Sequence, residues 1–511
     1  MANDLPDRSL ERGENEKTDK KPFNTSSDPS DLAVERSEET TTAGKKPFTT
    51  LSAIGNGYGI TNTAVGILLT LGTTLDKGGS PLLFWGFLLM TLVGLATAVT
   101  LAELCSAMPH PGGQYIWTNQ LAPASYRRFL SYATAVLGWM SAVLIGASAN
   151  LSVMLGIASL VGFLRPEFVY RRWMGFVGFQ ILNVLTCVAA CFRDAQPRIS
   201  KGVLLLSCTT IVTLSITLFA MAGPGSRPTS TAFFGTIVNE SGWPNGIAFL
   251  IGLNGPNWSF SCLDVAVHLA EEIPQPGRNI PKALLWTIVV GFCSGMFVIL
   301  AILTNLPSID GLADNSALTI IYRITNSKGA AVGLWIPVLI VTTSAVWSIH
   351  TWQSRLAWTL SREAGVPLHR HLSWIAPAPF HTPIWSMIGS ATGTAVLGCL
   401  YLGSEVAFSS FTATGILLQY LSYSIPVVLV LSRGRSKFQH GSFWYPRLGL
   451  VANLVMVSWS LVALVFYCFP NYLPIVVGQM NYSSVILVAT PILILSMWFL
   501  HAKKRYEVKE V

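Results

Sequence analysis

Twelve apolar runs, each of roughly 20 residues, follow one another between residues 49 and 500. A run of this length crosses the hydrocarbon core of a bilayer as a single α-helix. The chain is 51% hydrophobic and only 11% charged, whereas a soluble protein carries about 25% charged residues. We therefore predict an all-α polytopic membrane protein with 12 transmembrane helices, over residues 49-72, 82-107, 131-160, 171-191, 200-221, 245-266, 281-304, 331-355, 383-402, 407-431, 448-469 and 483-500.

The basic residues give this arrangement an orientation. With the amino terminus in the cytosol, 7 of the 33 Lys and Arg residues fall in outer segments and the other 26 in cytosolic ones. This bias follows the positive-inside rule, so both termini are predicted to be cytosolic. Residues 1-46 are rich in charged, Ser, Thr and Pro residues and predict a disordered tail. We assign 47-501 to the twelve-helix domain and 502-511 to a short cytosolic tail.

Other classes of protein are not indicated. The basic residues are dispersed among loops, which is not the pattern of a nucleic-acid-binding surface. All eight cysteines lie in apolar stretches, where cysteine packs as a small hydrophobic residue. No metal site and no cofactor site is predicted.

Two of the apolar runs are interrupted by helix-breaking residues. The first contains alternating glycines in LSAIGNGYGITN, and the sixth contains Gly252, Gly255 and Pro256. A broken helix at membrane depth persists only where it is buried or lines a cavity. The interruptions lie five runs apart, as expected when two inverted repeats of five helices meet at a solute site. Close helix packing through small residues is the alternative interpretation of the first glycine series.

Four segments carry a family pattern: GNGYGITN at 55–62, AELCSAMPHPGGQYIW at 102–117, WSFSCLDVAVHLAEEIPQPGRNIPKA at 258–283 and HTWQSRLAWTLSREAGVPL at 350–368. Together they resemble the fungal amino acid/choline transporter family of the amino acid-polyamine-organocation superfamily, from about residue 47 to 500. The resemblance implies a 5+5 inverted-repeat fold with two additional helices and broken helices 1 and 6. It also implies alternating-access transport.

The resemblance assigns candidate solute-binding residues to the unwound parts of helices 1 and 6. They are Gly55, Asn56, Gly57 and Tyr58 in helix 1, and Asn254, Trp258, Ser259 and Phe260 in helix 6. The rings of Tyr58, Trp258 and Phe260 would hold an ammonium group by cation–π attraction, worth about 2 kcal/mol when desolvated. Packing or lipid-facing roles for these aromatics are the alternative.

A few polar residues at membrane depth are candidates for coupling or gating. Asp264 and His268 lie four residues apart on helix 6 and predict a proton-sensitive hydrogen-bonded pair, with a gate or structural pair as the alternative. Glu103, at the end of helix 2, predicts an inner gate or a partner for a loop arginine. Ser344 and Ser348 on helix 8 predict either coordination of a co-transported cation or hydrogen bonds to backbone carbonyls.

These features predict a secondary active transporter of a small amine-bearing solute in the plasma membrane, with an internal membrane as the alternative. The solute is an organic cation or zwitterion, such as choline, an amino acid or 4-aminobutyrate, and the resemblance implies proton coupling. The alternatives are transport of an alkaloid or its precursor in a fungal natural-product pathway, and a nutrient sensor without transport. No catalytic motif is present, so an enzyme is not expected. The sequons at Asn239 and Asn481 lie in predicted outer loops and are candidates for glycosylation.

Overall fold

The computed structural model describes residues 49–223, 228–305, 316–403, 406–437, 439–476 and 480–508. The predicted disordered tail, 1-46, lies outside the described residues, as do residues 509–511. The described residues form α-helices, short 3₁₀ and π turns and connecting loops, and they contain no β-strand.

The α-helices, in chain order, are α1 Thr50–Thr61, α2 Thr63–Leu69, α3 Leu71–Pro81, α4 Phe87–Ala107, α5 Gln114–Leu121, α6 Arg127–Leu164, α7 Arg172–Ala190, α8 Gln196–Met221, α9 Ser230–Phe234, α10 Asn245–Gly252, α11 Asn254–Trp258, α12 Pro276–Leu303, α13 Ala317–Thr325, α14 Lys328–Arg362, α15 His369–Leu372, α16 Ile384–Cys399, α17 Ala407–Arg433, α18 Pro446–Phe466, α19 Ser483–Met497 and α20 Lys503–Arg505. A π-helical turn, Leu82–Gly86, joins α3 to α4, and a 3₁₀ turn, Leu263–Leu269, follows α11.

Ten helices of the described part are long and apolar enough to cross a membrane. They correspond to ten of the twelve predicted runs. The first and sixth predicted runs are absent from this set because each is broken into pieces shorter than a span. The first consists of α1 with 12 residues and α2 with 7, and the sixth of α10 with 8 and α11 with 5.

The outward surface of the bundle is apolar. Leu205 of α8 is 70% exposed, Val488 of α19 is 63% exposed and Leu461 of α18 is 62% exposed. Side chains of this kind, spread over several helices, are unfavourable in water and suit a hydrocarbon environment. The chain is therefore a multi-pass membrane protein.

The first run differs from the prediction in the position of its break. Residues 55–58, expected to be unwound, lie within the continuous helix α1, and the helix ends at Asn62, whose φ is 33°. The glycines serve close packing, which was the alternative interpretation. A Cβ at Gly55 would lie 2.9 Å from the Ser200 carbonyl oxygen of α8, and one at Gly57 would lie 2.9 Å from Thr287 Oγ1 of α12.

The predicted cytosolic tail also has a structural role. Tyr506, just after α20, is fully buried. Its hydroxyl pairs with Ser131 Oγ of α6 at 2.8 Å, and its carbonyl accepts two bonds from the Arg128 guanidinium. The segment after the last long helix is thus held against the start of α6.

Candidate solute-binding site

The two interrupted segments meet in the middle of the bundle. Asn62, between α1 and α2, and Cys262, after α11, both have left-handed backbone conformations, with φ of 33° and 65°. The Asn62 N–H still donates to the Tyr58 carbonyl at 2.7 Å, whereas the Cys262 N–H donates to a side chain, Gln419 Oε1, at 3.2 Å. The regular helical bonding is therefore interrupted at Cys262, and such an interruption is tolerated where the backbone borders a cavity. We call this space the central cavity; its lining comprises Ile60, Thr61, Asn62, Val65, Gly66, Leu69, Ile145, Ala149, Trp258, Ser261, Cys262, Thr342, Ala345 and Ile349.

The lining of the central cavity is neutral. Four helical segments contribute to it: α1 with α2, the stretch from α11 to Cys262, α6 and α14. Hydroxyl, amide and indole groups supply its polarity, and none of the described lining residues is Asp, Glu, Lys, Arg or His. The space available to water-sized molecules is about 30 Å³, which is room for about two waters. The central cavity is therefore narrow in this structure.

Two hydrogen-bond donors of the lining have no partner among the described residues. They are Nδ2 of Asn62 and Nε1 of Trp258. Asn62 is 3% exposed and Trp258 is 8% exposed, and the Asn62 Oδ1 already accepts from Ser207 at 3.1 Å. Buried polar groups are nearly always hydrogen-bonded, so donors left free beside a cavity indicate a site for acceptor atoms of a ligand.

Of the three predicted ammonium-binding aromatics, only Trp258 lines the cavity. The hydroxyl of Tyr58 donates to Ser294 Oγ of α12 at 2.8 Å. The ring of Phe260 stacks on Phe87 of α4, with centroids 5.4 Å apart. Tyr58 and Phe260 therefore pack against other helices, and the structure does not bring the three rings together.

The other predicted binding residues also lie outside the cavity lining. Gly55 and Gly57 face α8 and α12, and Asn56 Oδ1 lies 3.5 Å from Ser200 Oγ. Ser259 is fully buried and packs against α2, since a Cβ at Gly66 would lie 2.7 Å from its Oγ. Asn254 begins α11, and its Oδ1 has no partner among the described residues.

Comparison with known proteins assigns the chain to a family. A family model described as amino acid permease matches residues 48–491. The chain belongs to the amino acid permease family. The resemblance inferred from the four sequence segments is thereby confirmed at the level of the family.

Several relatives of this permease are transporters by name. The transmembrane transporter swnT of Metarhizium robertsii is 62% identical over 467 residues, which cover 91% of this chain and 93% of the relative. The swainsonine transporter swnT of Arthroderma benhamiae is 60% identical, with the same shares covered. The choline transporter of Saccharomyces cerevisiae is 33% identical over 91% of this chain and 83% of its own length. The permease is therefore a membrane transporter and not an enzyme.

Asp264 and His268 of the permease form a buried hydrogen-bonded pair on the 3₁₀ turn after α11. The Nε2 of His268 lies 3.0 Å from Asp264 Oδ2, and its Nδ1 lies 2.7 Å from the carbonyl oxygen of Pro111. Asp264 also accepts bonds from Gln114 of α5 and from Gln419 and Tyr423 of α17. The predicted pair therefore exists, within a larger network that joins α5 and α17.

A second histidine stands beside this pair, in the loop before α5. His110 Nδ1 accepts from the Gly112 N–H at 2.9 Å, and its Nε2 lies 3.3 Å from the Arg362 guanidinium. Burial, with smaller contributions from the charges of Arg362 and His268, lowers the pKa of His110 to about 4. His110 is therefore neutral at physiological pH.

Glu103 pairs with a loop arginine. Both of its carboxylate oxygens accept from Arg435 Nη2, at 3.1 and 2.9 Å, and Oε1 also accepts the Tyr445 N–H. The side chains of Glu103 and Arg435 are 3% and 11% exposed. This pair fixes the end of α4 to the loop between α17 and α18, away from the central cavity.

The predicted serines of α14 lie beside the cavity face of that helix rather than on it. The lining residues of α14 are Thr342, Ala345 and Ile349. Ser344 Oγ donates to the Ile340 carbonyl at 3.0 Å, which is the backbone-satisfying alternative. Ser348 is buried and is not part of the lining.

The two candidate glycosylation sites differ in their surroundings. Asn239 is half-buried, and its Nδ2 donates to the Trp243 carbonyl and to Asn245 Oδ1. Asn481 is 5% exposed, and its Nδ2 donates both hydrogens to the carbonyls of Tyr467 and Phe469. Asn481 is thus buried from the solvent that a glycan would occupy, whereas Asn239 is partly exposed. The burial of Asn481 argues against its modification in the folded protein.

Sequence reasoning missed most of the cavity lining. The omitted polar residues are Thr61, Asn62, Ser261, Cys262 and Thr342. One signal for Asn62 was available: Asn is among the few non-glycine residues that adopt left-handed backbone readily, and it lies three residues after Gly59, the last glycine of the series. No local pattern marks Thr342 or Ile145, which reach the cavity only through the packing of α14 and α6.

Proposed function

We propose that this permease transports a small amine that carries several hydroxyl groups, with swainsonine as the lead candidate. The single observation that carries the proposal is the pair of unpartnered donors, Asn62 Nδ2 and Trp258 Nε1, in a cavity without charged residues in its described lining. Hydroxyl oxygens of a polar solute accept from such donors. The 60% identity to a swainsonine transporter supports this solute class.

Choline is the second candidate. The 33% identity to a choline transporter supports it, and Trp258 supplies one aromatic face for a quaternary ammonium group. Choline offers one hydroxyl group to the two donors. It therefore uses the polar lining less fully than a polyhydroxylated amine.

The proposed architecture has twelve membrane crossings, arranged as two inverted repeats of five helices and two further helices. The ten long helices and the two interrupted segments support this count. The charge bias of the sequence supports cytosolic termini, and we propose the plasma membrane as the location. In this orientation the loops 108–113 and 363–383 are cytosolic, and Asn239 is an outer glycosylation site.

Alternating access would arise from movement of the helices around the central cavity. We propose protons as the coupling ion, with Asp264 and His268 as the groups that exchange them. Their burial and direct contact support this role. Glu103 and Ser348 would hold the helices that move, and Ser344 has no assigned part beyond its bond to the backbone.

Solute counterflow in proteoliposomes tests the solute class independently of the direction of transport. Vesicles loaded with unlabelled swainsonine, choline, 4-aminobutyrate or lysine would be diluted into labelled solute of the same kind. We expect accumulation of labelled swainsonine, weaker accumulation of choline and none of lysine. Accumulation of lysine or 4-aminobutyrate alone would overturn the proposal, and accumulation of none of the four would favour the nutrient sensor.

A further inference from the structure

We propose that Gln419 transmits the protonation state of the Asp264–His268 pair to the wall of the central cavity. The inference rests on the proposed proton coupling. It adds the residue through which protonation of the pair and solute binding in the cavity influence each other. Gln419 belongs to α17, touches neither a solute nor the histidine, and acts as a positioning residue.

Gln419 is bonded at both ends of its amide group. Its Oε1 accepts the backbone N–H of Cys262 at 3.2 Å, and its Nε2 donates to Asp264 Oδ1 at 3.3 Å. The side chain is 5% exposed. One buried amide thus joins the carboxylate directly to a residue of the cavity wall.

The bond to Cys262 fixes the orientation of this amide. A backbone N–H only donates, so the oxygen of Gln419 faces Cys262 and the nitrogen faces Asp264. Rotation of the amide by half a turn would place two donors against each other at Cys262. Gln419 therefore satisfies both neighbours only while Asp264 Oδ1 is an acceptor.

Cys262 is a sensitive point of the cavity wall. Its φ of 65° is in the left-handed region, which costs a non-glycine residue about 1–2 kcal/mol. The bond from its N–H to Gln419 helps to hold this conformation. Ser261 and Cys262 both line the central cavity, and the 3₁₀ turn that carries Asp264 begins directly after them. A displacement of Gln419 would thus move the backbone of the cavity wall at Cys262.

The hydrogen bonds of His268 restrict the proton of the pair. The Pro111 carbonyl only accepts, so Nδ1 of His268 carries a hydrogen. A single further proton then lies between His268 Nε2 and Asp264 Oδ2. Removal of that proton leaves a lone pair facing a carboxylate and breaks the contact. A second proton on the pair goes to Asp264 and turns one of its oxygens into a donor.

Both loss of the shared proton and addition of a second proton alter the hydrogen bond between Gln419 and Asp264. When the contact with His268 breaks, the side chain of Asp264 keeps, within the described part of the chain, the bonds from Gln114, Gln419 and Tyr423. When Oδ1 is protonated, it becomes a weaker acceptor for the Nε2 donor of Gln419. In both cases the link to Cys262 is strained or shifted, and the solute affinity of the cavity changes with the protonation state.

The groups around the pair are few. Asp264 faces the phenol of Tyr423, the thiol of Cys262 and the neutral amides of Gln114 and Gln419. His268 faces His110, and it also lines a cavity of about 150 Å³ at the 108–113 end of the bundle. The ionisable residues of that cavity are Glu271, Glu272, Arg355 and His381, with Glu272 and Arg355 ion-paired at 2.6 Å. We take this cavity as the route by which protons reach His268.

The test compares Gln419→Met with Gln114→Met in proteoliposomes. Both variants remove one amide donor from Asp264, but only Gln419 is bonded to the cavity wall. Apparent affinity for swainsonine, or for choline if that is the solute carried, is measured by counterflow at about pH 5 and about pH 7.5. We expect the wild-type affinity to change by about tenfold between these values, a typical coupling between linked sites.

In Gln419→Met we expect counterflow to persist and the pH effect on affinity to fall below about twofold. In Gln114→Met we expect the pH effect to remain, with a shifted midpoint. A wild-type affinity that is independent of pH would overturn both the proton coupling and the role of Gln419. A pH-dependent wild type with an equal dependence in Gln419→Met would overturn the role of Gln419 alone.

A second variant covers the case in which Gln419→Met shows no counterflow. Gln419→Glu retains an oxygen for the Cys262 N–H and places a second carboxyl group beside Asp264. Two adjacent carboxyl groups share a proton and hold it to higher pH. We expect the midpoint of the affinity change to rise by at least about one pH unit, and an unchanged midpoint would overturn the inference.

Discussion

Asn62 and Cys262 lie on different interrupted segments, and both line the central cavity with left-handed backbone. Neither is a glycine, so each position carries a side chain into or beside the site at some cost in backbone energy. Asn62 is bonded to α8 through Ser207, and Cys262 to α17 through Gln419. The two breaks are thus each held by a polar side chain from another long helix.

Replacement of Asn62 by glycine tests the contribution of its side-chain amide while the left-handed backbone conformation is kept. In Asn62→Gly the left-handed φ is retained without strain, while the unpartnered Nδ2 donor and the Oδ1 acceptor of the Ser207 hydroxyl are both lost. Ser207→Ala removes only the bond to Oδ1 and is the matched control. We expect normal expression and a fall of about tenfold in solute affinity, the equivalent of one hydrogen bond of about 1.4 kcal/mol. Counterflow over a range of solute concentrations measures this, and equal affinity in Asn62→Gly would remove Asn62 from the binding site.

Replacement of Trp258 distinguishes a hydrogen bond from a ring contact. Trp258→Phe keeps an aromatic ring and removes the Nε1 donor. For a polyhydroxylated amine we expect a loss of about 1–3 kcal/mol, or about 5- to 150-fold in affinity. For choline, held by the ring face, we expect a smaller loss. Parallel counterflow measurements with the two solutes decide between these outcomes, and Trp258→Leu serves as the control that removes the ring.

Cys262 provides a chemical probe of the cavity. It is a free, buried cysteine of the lining, whereas Cys105 of α4 is buried elsewhere in the bundle. We expect saturating swainsonine to slow maleimide modification of Cys262 at least about tenfold, since a bound solute fills the space next to the thiol. Mass spectrometry of the modified peptides measures this, with Cys262→Ala as control. Equal labelling with and without solute would place the binding site elsewhere.

Breaking the ion pair of Glu103 and Arg435 is expected to lower the stability of the permease and to leave its solute affinity unchanged. Removal of one member of a buried pair leaves an uncompensated charge and costs about 3–5 kcal/mol. We expect Glu103→Ala to lower the melting temperature in detergent strongly. The matched control is Glu271→Ala, since Glu271 is 53% exposed in its pair with Arg362 and such pairs contribute about 1 kcal/mol or less. Similar melting temperatures for the two variants would contradict the prediction.

The buried imidazole of His110 predicts a sensitivity to acid. Its pKa of about 4 in the fold lies below the value of about 6.5 expected in the unfolded chain. The unfolded state therefore binds the proton first, and the contribution of His110 to stability, complete above about pH 6.5, is lost as the pH falls toward 4. We expect His110→Asn, which keeps an acceptor for the Gly112 N–H, to flatten this acid decline in melting temperature. An identical decline in wild type and variant would show that other groups cause it.

The membrane class, ten of the twelve predicted spans and the interruption of the other two could be predicted from the sequence. These follow from the length of apolar runs and from helix-breaking residues, which are local properties read along the chain. The contact between Asp264 and His268 was also predicted, from the four-residue spacing of an α-helix, although the structure forms it on a 3₁₀ turn.

Only the tertiary structure decided which residues meet at the cavity. The glycines at 55 and 57 pack against Ser200 and Thr287, so the break falls at Asn62 instead. Tyr58 is directed to Ser294 and Phe260 to Phe87, although both stand beside predicted breaks. The direction of a side chain in a bundle depends on neighbours distant in the sequence, and one chain read alone contains no local signal for them.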